Sequence, residues 1–142
     1  MLKYRLLHPE LLSVLARAGH GSRVLLADAN YPVATGAPPH SRRIYLNLAP
    51  GQLSVAEVLK VLLDAIQVEA AYAMRMDSGA EPPIVAEFRK WLPSEVEIQL
   101  LPRFDFYDAV NTPQTAVVIA TGEDQLYANL LLTIGVVRPG GA

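Results

Sequence analysis

The chain has 142 residues, the length of one domain. It contains no cysteine, which excludes a disulfide framework, a thiolate zinc site, an iron–sulfur cluster held by cysteines and a cysteine nucleophile. Its 12 basic and 14 acidic residues give a net charge of −2, without the basic excess that nucleic-acid-binding proteins carry.

Hydrophobic residues make up 51% of the chain and charged residues 18%, whereas an average soluble domain has about 25% charged residues. This shortage of charge predicts that other subunits cover part of the surface. No apolar run reaches the roughly 18 residues of a membrane span, and the N-terminus lacks a signal-peptide pattern. We therefore expect residues 1–142 to form a single domain of a soluble, cytoplasmic homo-oligomer that binds neither nucleic acid nor membrane.

The N-terminal part of the chain predicts a helix, a strand and a long loop. Pro9 suits the first position of a helix and Gly19 suits a left-handed residue after its last turn. The apolar run at 24–27 predicts a strand buried on both faces, which ends at Asp28. Prolines interrupt residues 30–41 and predict a loop there.

A second helix is the clearest element in the rest of the chain. Ser54 and Glu57 have the spacing of a capping box, and apolar residues follow at helical spacing as far as Ile66. The other predicted elements are strands at 44–48, 70–76, 96–100, 116–120 and 130–137, and helices at 84–92 and 104–110. This alternation of helices and apolar strands predicts an α/β sandwich with a mainly parallel sheet.

His20 and Asp28 flank the first predicted strand. A histidine has an ordinary pKa of about 6.5 and exchanges protons at neutral pH, and glycines on both sides leave the His20 ring uncrowded. The alternative for His20 is a solvated loop side chain. Ligands of α/β sheets bind beyond the carboxyl ends of strands, so Asp28 either reaches into such a site or caps the turn that follows it.

Three more polar residues are candidates in the C-terminal half. Tyr127 and Asn129 follow the turn after the strand at 116–120 and are placed to contact a ligand. The alternative is a tyrosine packed on the sheet edge and an asparagine in a left-handed turn. Arg103 either clamps an anionic or hydroxylated ligand or pairs with a carboxylate.

Motifs for metals and common cofactors are missing from the sequence. The three histidines have no partner at metal-ligand spacing, and no glycine-rich nucleotide loop, nucleophile elbow or metalloprotease motif occurs. We therefore expect no metal and no cofactor.

Several sequence blocks resemble the RbsD/FucU family, the D-ribose pyranase and L-fucose mutarotase proteins. The N-terminal blocks are Pro9-Glu10-Leu11-Leu12, Gly19-His20-Gly21 and Leu26-Ala27-Asp28-Ala29-Asn30-Tyr31-Pro32. The C-terminal blocks are Arg103-Phe104 with Phe106-Tyr107, Ala120-Thr121-Gly122-Glu123, Tyr127-Ala128-Asn129-Leu130 and Gly135-Val136-Val137. The blocks occur in the family's order along nearly the whole chain.

The resemblance implies a three-layer α/β/α sandwich with a mainly parallel or mixed sheet. It also implies a ring-shaped homo-oligomer, often a decamer of two pentamers, with a sugar pocket near subunit boundaries. The implied activity is that of a cofactor-independent isomerase, a mutarotase that interconverts the anomers or ring forms of a monosaccharide such as L-fucose. His20 stands at the position of the general acid/base, and the positions of sugar-binding groups are taken by Asp28, Arg103, Tyr127 and Asn129.

Two segments depart from the family pattern. Residues 46–51 lack both the Arg and the Asp of the family's Arg-Ala-Asp-Gly sequence, and the loop at 33–43 is longer and richer in Pro and Arg. The missing Arg and Asp favour one alternative to an active mutarotase, a non-catalytic sugar-binding or regulatory protein on the same scaffold. The low charge and high apolar content favour another, a structural, ring-forming protein.

Overall fold

The computed structural model describes residues 1–140. Its helices are α1 (Pro9–Arg17), α2 (Val55–Leu62), α3 (Ile84–Trp91) and α4 (Arg103–Val110). Its strands are β1 (Arg23–Ala27), β2 (Arg42–Tyr45), β3 (Val68–Met74), β4 (Ile98–Leu101), β5 (Thr115–Ala120) and β6 (Leu130–Ile134). Within residues 1–140, none of the helices has the length and hydropathy needed to span a membrane.

The six strands form one sheet in the order β2-β5-β1-β6-β3-β4. β2, β5 and β1 are parallel to one another, and β3 is parallel to β4. β6 lies between these two groups and runs antiparallel to both of its neighbours. The predicted α/β fold is confirmed in its mixed-sheet form. Five strands therefore end at one edge of the sheet, the carboxyl edge, where β6 begins; the opposite edge is the amino edge.

Alternate residues of β1 face two different cores, as the pleat of a strand requires. Val24 and Leu26 pack with buried residues of α1, α2 and α3. Leu25 and Ala27 pack on the other side with α4 and with the loop at 31–37. Helices therefore cover both faces of the sheet, which gives the three layers.

The capping box that begins α2 is present as predicted. The Ser54 hydroxyl accepts a hydrogen bond from the backbone N–H of Glu57 at 3.1 Å, and the Glu57 carboxylate accepts one from the N–H of Ser54 at 3.1 Å. The helix ends at Leu62, before the predicted end at Ile66. The N–H groups of Ala65 and Ile66 both donate to the Leu62 carbonyl, at 2.8 and 2.9 Å, and this turn leads the chain into β3.

The predicted left-handed position at Gly19 is wrong. α1 ends on the extended residue Ala18, and the left-handed residue is Gly21, with φ at +85°. This turn lets the Gly21 N–H donate to the Ile134 carbonyl at 2.9 Å, which aligns the start of β1 with the end of β6. β6 ends at that residue rather than at 137.

Candidate functional site

A cavity of about 270 Å³ opens at the carboxyl edge of the sheet. Four of the residues singled out from the sequence line it, and they come from the ends of β1 and β4 and from the turn before β6: Asp28, Arg103, Tyr127 and Asn129. The other lining residues are Asn30, Tyr31, Met74, Tyr107 and Leu126. The volume is near the lower end of the range for small-molecule sites, about 300–1,000 Å³.

Asp28 is only 4% exposed, and it both caps a turn and lines the cavity. Its Oδ1 accepts a hydrogen bond from the N–H of Asn30 at 3.0 Å, and its Oδ2 accepts one from the N–H of Ala128 at 3.1 Å. Burial raises the pKa of the Asp28 carboxyl, and the nearby Glu123 carboxylate adds to the rise, while the backbone N–H groups oppose it. Asp28 therefore fulfils both roles considered from the sequence, because it caps the turn after β1 and also lines the cavity.

Asn129 is 3% exposed and locks the end of β1 to the start of β6. Its Oδ1 accepts a hydrogen bond from the backbone N–H of Asp28 at 2.8 Å. Its amide nitrogen has no hydrogen-bond acceptor within the described chain and is free to donate to a ligand. The left-handed residue of this turn is Tyr127, with φ at +57°. That conformation is uncommon outside glycine, and it turns the chain so that Leu126, Tyr127 and Asn129 all line the cavity.

Arg103 begins α4 at the rim of the cavity and is paired with Asp77. Its Nη2 donates to the Asp77 carboxylate at 2.5 Å. Contact with the Tyr127 hydroxyl, followed by the Asp77 charge, raises the pKa of Arg103, so the guanidinium stays a cation. The wall next to it is aromatic, because the rings of Tyr31 and Tyr107 meet edge to face with centroids 5.6 Å apart.

The Thr121-Gly122-Glu123 block is structural and supports the cavity from behind. The Thr121 hydroxyl donates to the Ala27 carbonyl at 2.7 Å, and the buried Glu123 carboxylate accepts a hydrogen bond from the first N–H of α2, that of Val55, at 3.3 Å. A Cβ at Gly122 would lie 2.1 Å from the Gln52 carbonyl oxygen. The block thus ties the end of β1 to the start of α2.

His20 lies at the amino edge of the sheet, away from the cavity of its own chain. The five residues of β1 separate it from Asp28, and a strand of that length spans about 16 Å. The His20 Nε2 lies 3.0 and 2.9 Å from the two oxygens of Glu69, on β3. The two side chains are 60% and 43% exposed. One chain by itself therefore does not bring the predicted acid/base to the predicted sugar-binding residues.

Several residues of the two sites were missed from the sequence. Glu69 pairs with His20, but in the sequence it is one polar residue in an apolar strand. Tyr107 carried a signal, because it belongs to the Arg103-Phe104 and Phe106-Tyr107 block. Met74 and Asp77 gave no signal. Among residues 1–140, no group of three or more His, Cys, Asp or Glu side chains is arranged to hold a metal ion.

Comparison with known proteins gives a consistent set of matches. The model of the RbsD / FucU transport protein family matches residues 1–137. The D-ribose pyranase of Variovorax paradoxus is 38% identical, over 96% of this chain and 98% of its own. The fucose mutarotase of Bos taurus is 35% identical, over 94% of this chain and 92% of its own.

Two solved structures with bound sugars are similar to this one. Bacillus subtilis RbsD complexed with D-ribose has a TM-score of 0.82 at 32% identity, and the match covers 97% of this chain and 100% of that chain. The fucose mutarotase from Streptococcus pneumoniae in complex with L-fucose has a TM-score of 0.80 at 30% identity, with the same coverage.

Proposed function

The chain belongs to the RbsD/FucU family, and on that premise we propose that it is a monosaccharide mutarotase, an isomerase that interconverts the anomers or ring forms of a free sugar. The observation that carries the proposal is the cavity at the carboxyl edge. There the end of β1, the start of α4 and the turn before β6 bring a carboxylate, a guanidinium, a phenol and an amide together. Pentoses and 6-deoxyhexoses are the first substrates to test, because the two similar structures hold D-ribose and L-fucose.

The cavity offers the hydrogen-bonding groups that sugar hydroxyls need. Each Asp28 oxygen already accepts one backbone N–H and has a further lone pair for a hydroxyl proton. The Asn129 amide nitrogen and Arg103 donate, and the Tyr127 hydroxyl both donates and accepts. A sugar hydroxyl left unpaired in such a site would cost about 1–3 kcal/mol, so these groups select the orientation of the ring.

Mutarotation requires two proton transfers, the breaking and re-forming of the bond between the anomeric carbon and the ring oxygen, and rotation about one bond. A base removes the proton of the anomeric hydroxyl, the bond between the anomeric carbon and the ring oxygen breaks, and the ring oxygen takes up a proton. The open-chain aldehyde rotates about the bond next to its carbonyl and closes again by the reverse steps. A side chain that can both accept and donate a proton serves both directions, which is the role we assign to His20.

We propose that His20 acts in the cavity of a neighbouring subunit. Exposed apolar side chains flank both edges of the sheet: Phe104 and Leu126 beside the cavity, and Val136 and Val137 after β6, on the side of His20. A contact between these patches would join one surface of a subunit to a different surface of its neighbour, and repetition of such a contact can close a ring. A decamer of two pentamers, as the resemblance implies, is the assembly we propose.

A sugar-binding protein without catalysis is the second candidate. It is favoured by the position of His20, because one chain holds the binding groups without the proton carrier. The segment at 46–51 also lacks the family's Arg and Asp. Tight binding of a sugar in calorimetry without anomer exchange would select this candidate.

The proposal is tested by saturation-transfer NMR on a panel of monosaccharides that includes D-ribose and L-fucose. Wild-type protein is expected to transfer magnetisation between the anomers of at least one sugar. Asp28→Asn is expected to weaken this exchange strongly, whereas Asn47→Ala, which shortens an exposed asparagine outside this cavity, leaves it unchanged. Absence of exchange with every sugar would overturn the proposed activity, and light scattering at the mass of one chain would overturn the assembly.

A further inference from the structure

The loop at 31–41 forms one wall of the cavity and pairs only part of its own backbone. Tyr31 lines the cavity from the start of this loop. Three of the loop's residues, Pro32, Pro38 and Pro39, have no backbone N–H. The loop therefore has more carbonyl acceptors than donors, and the surplus carbonyls need a partner from outside the loop.

A single side chain supplies that partner. Arg43 is half-buried on the edge strand β2, and its guanidinium donates four hydrogen bonds to carbonyl groups of the loop. Nε donates to Val33 at 3.1 Å, Nη1 donates to Pro38 at 2.7 Å and to Ser41 at 2.9 Å, and Nη2 donates to Ala37 at 2.8 Å. Only the planar fork of an arginine offers this many fixed donors, since lysine has three donors on one atom.

The clamped loop holds the ring of Tyr31 in the cavity wall. The Tyr31 hydroxyl donates to the Gly36 carbonyl at 2.6 Å, and the Val33 N–H donates to the Tyr31 carbonyl at 2.8 Å. The ring is 6% exposed and packs edge to face against Tyr107. A Cβ on Gly36 would lie 2.9 Å from the ring atom Cε1 of Tyr31, so the loop closes tightly around the ring.

We propose that Arg43 is a positioning residue for the sugar cavity: by holding the loop carbonyls it fixes the place of Tyr31, and with it the shape of the cavity wall. This inference rests on the proposed function, because it assigns Arg43 an effect on sugar affinity. Arg43 is absent from the lining of the cavity, so its effect reaches the sugar through the loop. The proton transfer itself does not involve the loop.

The test compares Arg43→Lys with the matched control Arg42→Lys, which changes an exposed arginine next to it on β2. We expect Arg43→Lys to raise the KM for anomer exchange by about tenfold and to change kcat by less than about twofold, because the substrate is held less well while the proton carrier is untouched. Arg42→Lys keeps both constants. An unchanged KM in folded Arg43→Lys, or an equal change in Arg42→Lys, would overturn the inference.

Gly36→Ala tests the same wall with Arg43 intact and serves if Arg43→Lys does not fold. Its added methyl group pushes against the ring of Tyr31 and is expected to raise KM with little effect on kcat. A normal KM in this variant, with its fold verified by circular dichroism, would also count against the inference. Wild-type protein without any exchange is a different result, because it overturns the proposed function rather than the role of Arg43.

Discussion

The side chains at the two edges of the sheet differ in burial and in hydrogen bonding. At the carboxyl edge, Asp28 and Asn129 are 4% and 3% exposed and are locked together by backbone hydrogen bonds. At the amino edge, His20 and Glu69 are 60% and 43% exposed and hold only each other. The polar groups of the carboxyl edge are held by hydrogen bonds within one chain, whereas the side chains of His20 and Glu69 at the amino edge face solvent.

Under the proposed function, this difference separates the residues that bind the sugar from the residue that transfers its protons. A buried, hydrogen-bonded cavity wall keeps its shape within one chain, which suits the recognition of hydroxyl groups. An exposed pair of polar side chains adds little stability, so its members can change partners when another surface covers them. Under the proposed function, the carboxyl edge is a preorganised sugar-binding half, and the amino edge is a proton-transfer half that acts on the cavity of a neighbouring subunit.

The largest effect is expected from His20→Ala. Loss of a general acid/base slows a reaction by about 10²–10⁴-fold, so anomer exchange should fall by that factor. The binding cavity of each chain stays intact, so the dissociation constant for the sugar in calorimetry should change by less than about threefold. A variant that retains the full exchange rate would remove His20 from the mechanism.

Two glycines compare the edges directly. Gly122→Ala should lower the free energy of unfolding by about 3 kcal/mol, because the new Cβ would overlap the backbone at Gln52. Gly21→Ala, at the amino edge, meets no atom within 4 Å and should cost only the left-handed strain, about 1 kcal/mol. Urea denaturation measures both. Equal losses would mean that the two edges are equally tight.

Asn129→Ala probes the lock between β1 and β6. It leaves the buried N–H of Asp28 without its acceptor and should lower the free energy of unfolding by about 2 kcal/mol. It should also weaken sugar binding, since a donor in the cavity is lost. The exposed control Asn47→Ala should change neither quantity, and a stable Asn129→Ala variant with normal affinity would contradict the described geometry.

The smallest effect is a pH dependence that comes from Asp28. Its pKa in the folded protein is raised by burial, so the folded state keeps this proton to a higher pH than the unfolded state does. The stability from Asp28 is therefore complete below its ordinary pKa, about 3.8, and declines as pH rises from there through the folded value. Urea unfolding from pH 4 to 7 should show wild-type stability, relative to Asp28→Asn, decreasing as pH rises. An increase would contradict the burial of this carboxyl.

The carboxyl edge was largely predictable from the sequence. The apolar run at 24–27, flanked by loop residues, predicted a buried strand and so placed the polar residue directly after it at a strand end. Arg103 follows the predicted strand at 96–100, and Tyr127 and Asn129 follow the turn after the strand at 116–120, so their arrival at the carboxyl edge follows from the parallel direction of those two strands. Tyr127 was predicted as a site residue, but its left-handed backbone conformation was not, because in a sequence mainly glycine and asparagine indicate such a conformation.

The rest depended on information that periodicity does not hold. An apolar run has no direction, so the antiparallel course of β6 could not be predicted from its residues. Sequence blocks give the order of residues but no distances, and His20 therefore fell at the far edge from the groups it was expected to serve. Glu69 contacts His20, which lies 49 positions away in the sequence, and Arg43 contacts residues up to 10 positions away. Neither spacing forms a recognisable motif.

The most direct test of the account is a complementation experiment with two inactive variants, His20→Ala and Asp28→Asn, assembled together in one oligomer. If His20 serves the cavity of its neighbour, some contacts in the mixed ring pair an intact cavity with an intact histidine, and exchange should return to about a quarter of the wild-type rate. We expect this recovery by NMR in the co-assembled sample and no recovery when the two variants are mixed as preformed oligomers. A co-assembled ring that stays inactive would contradict it.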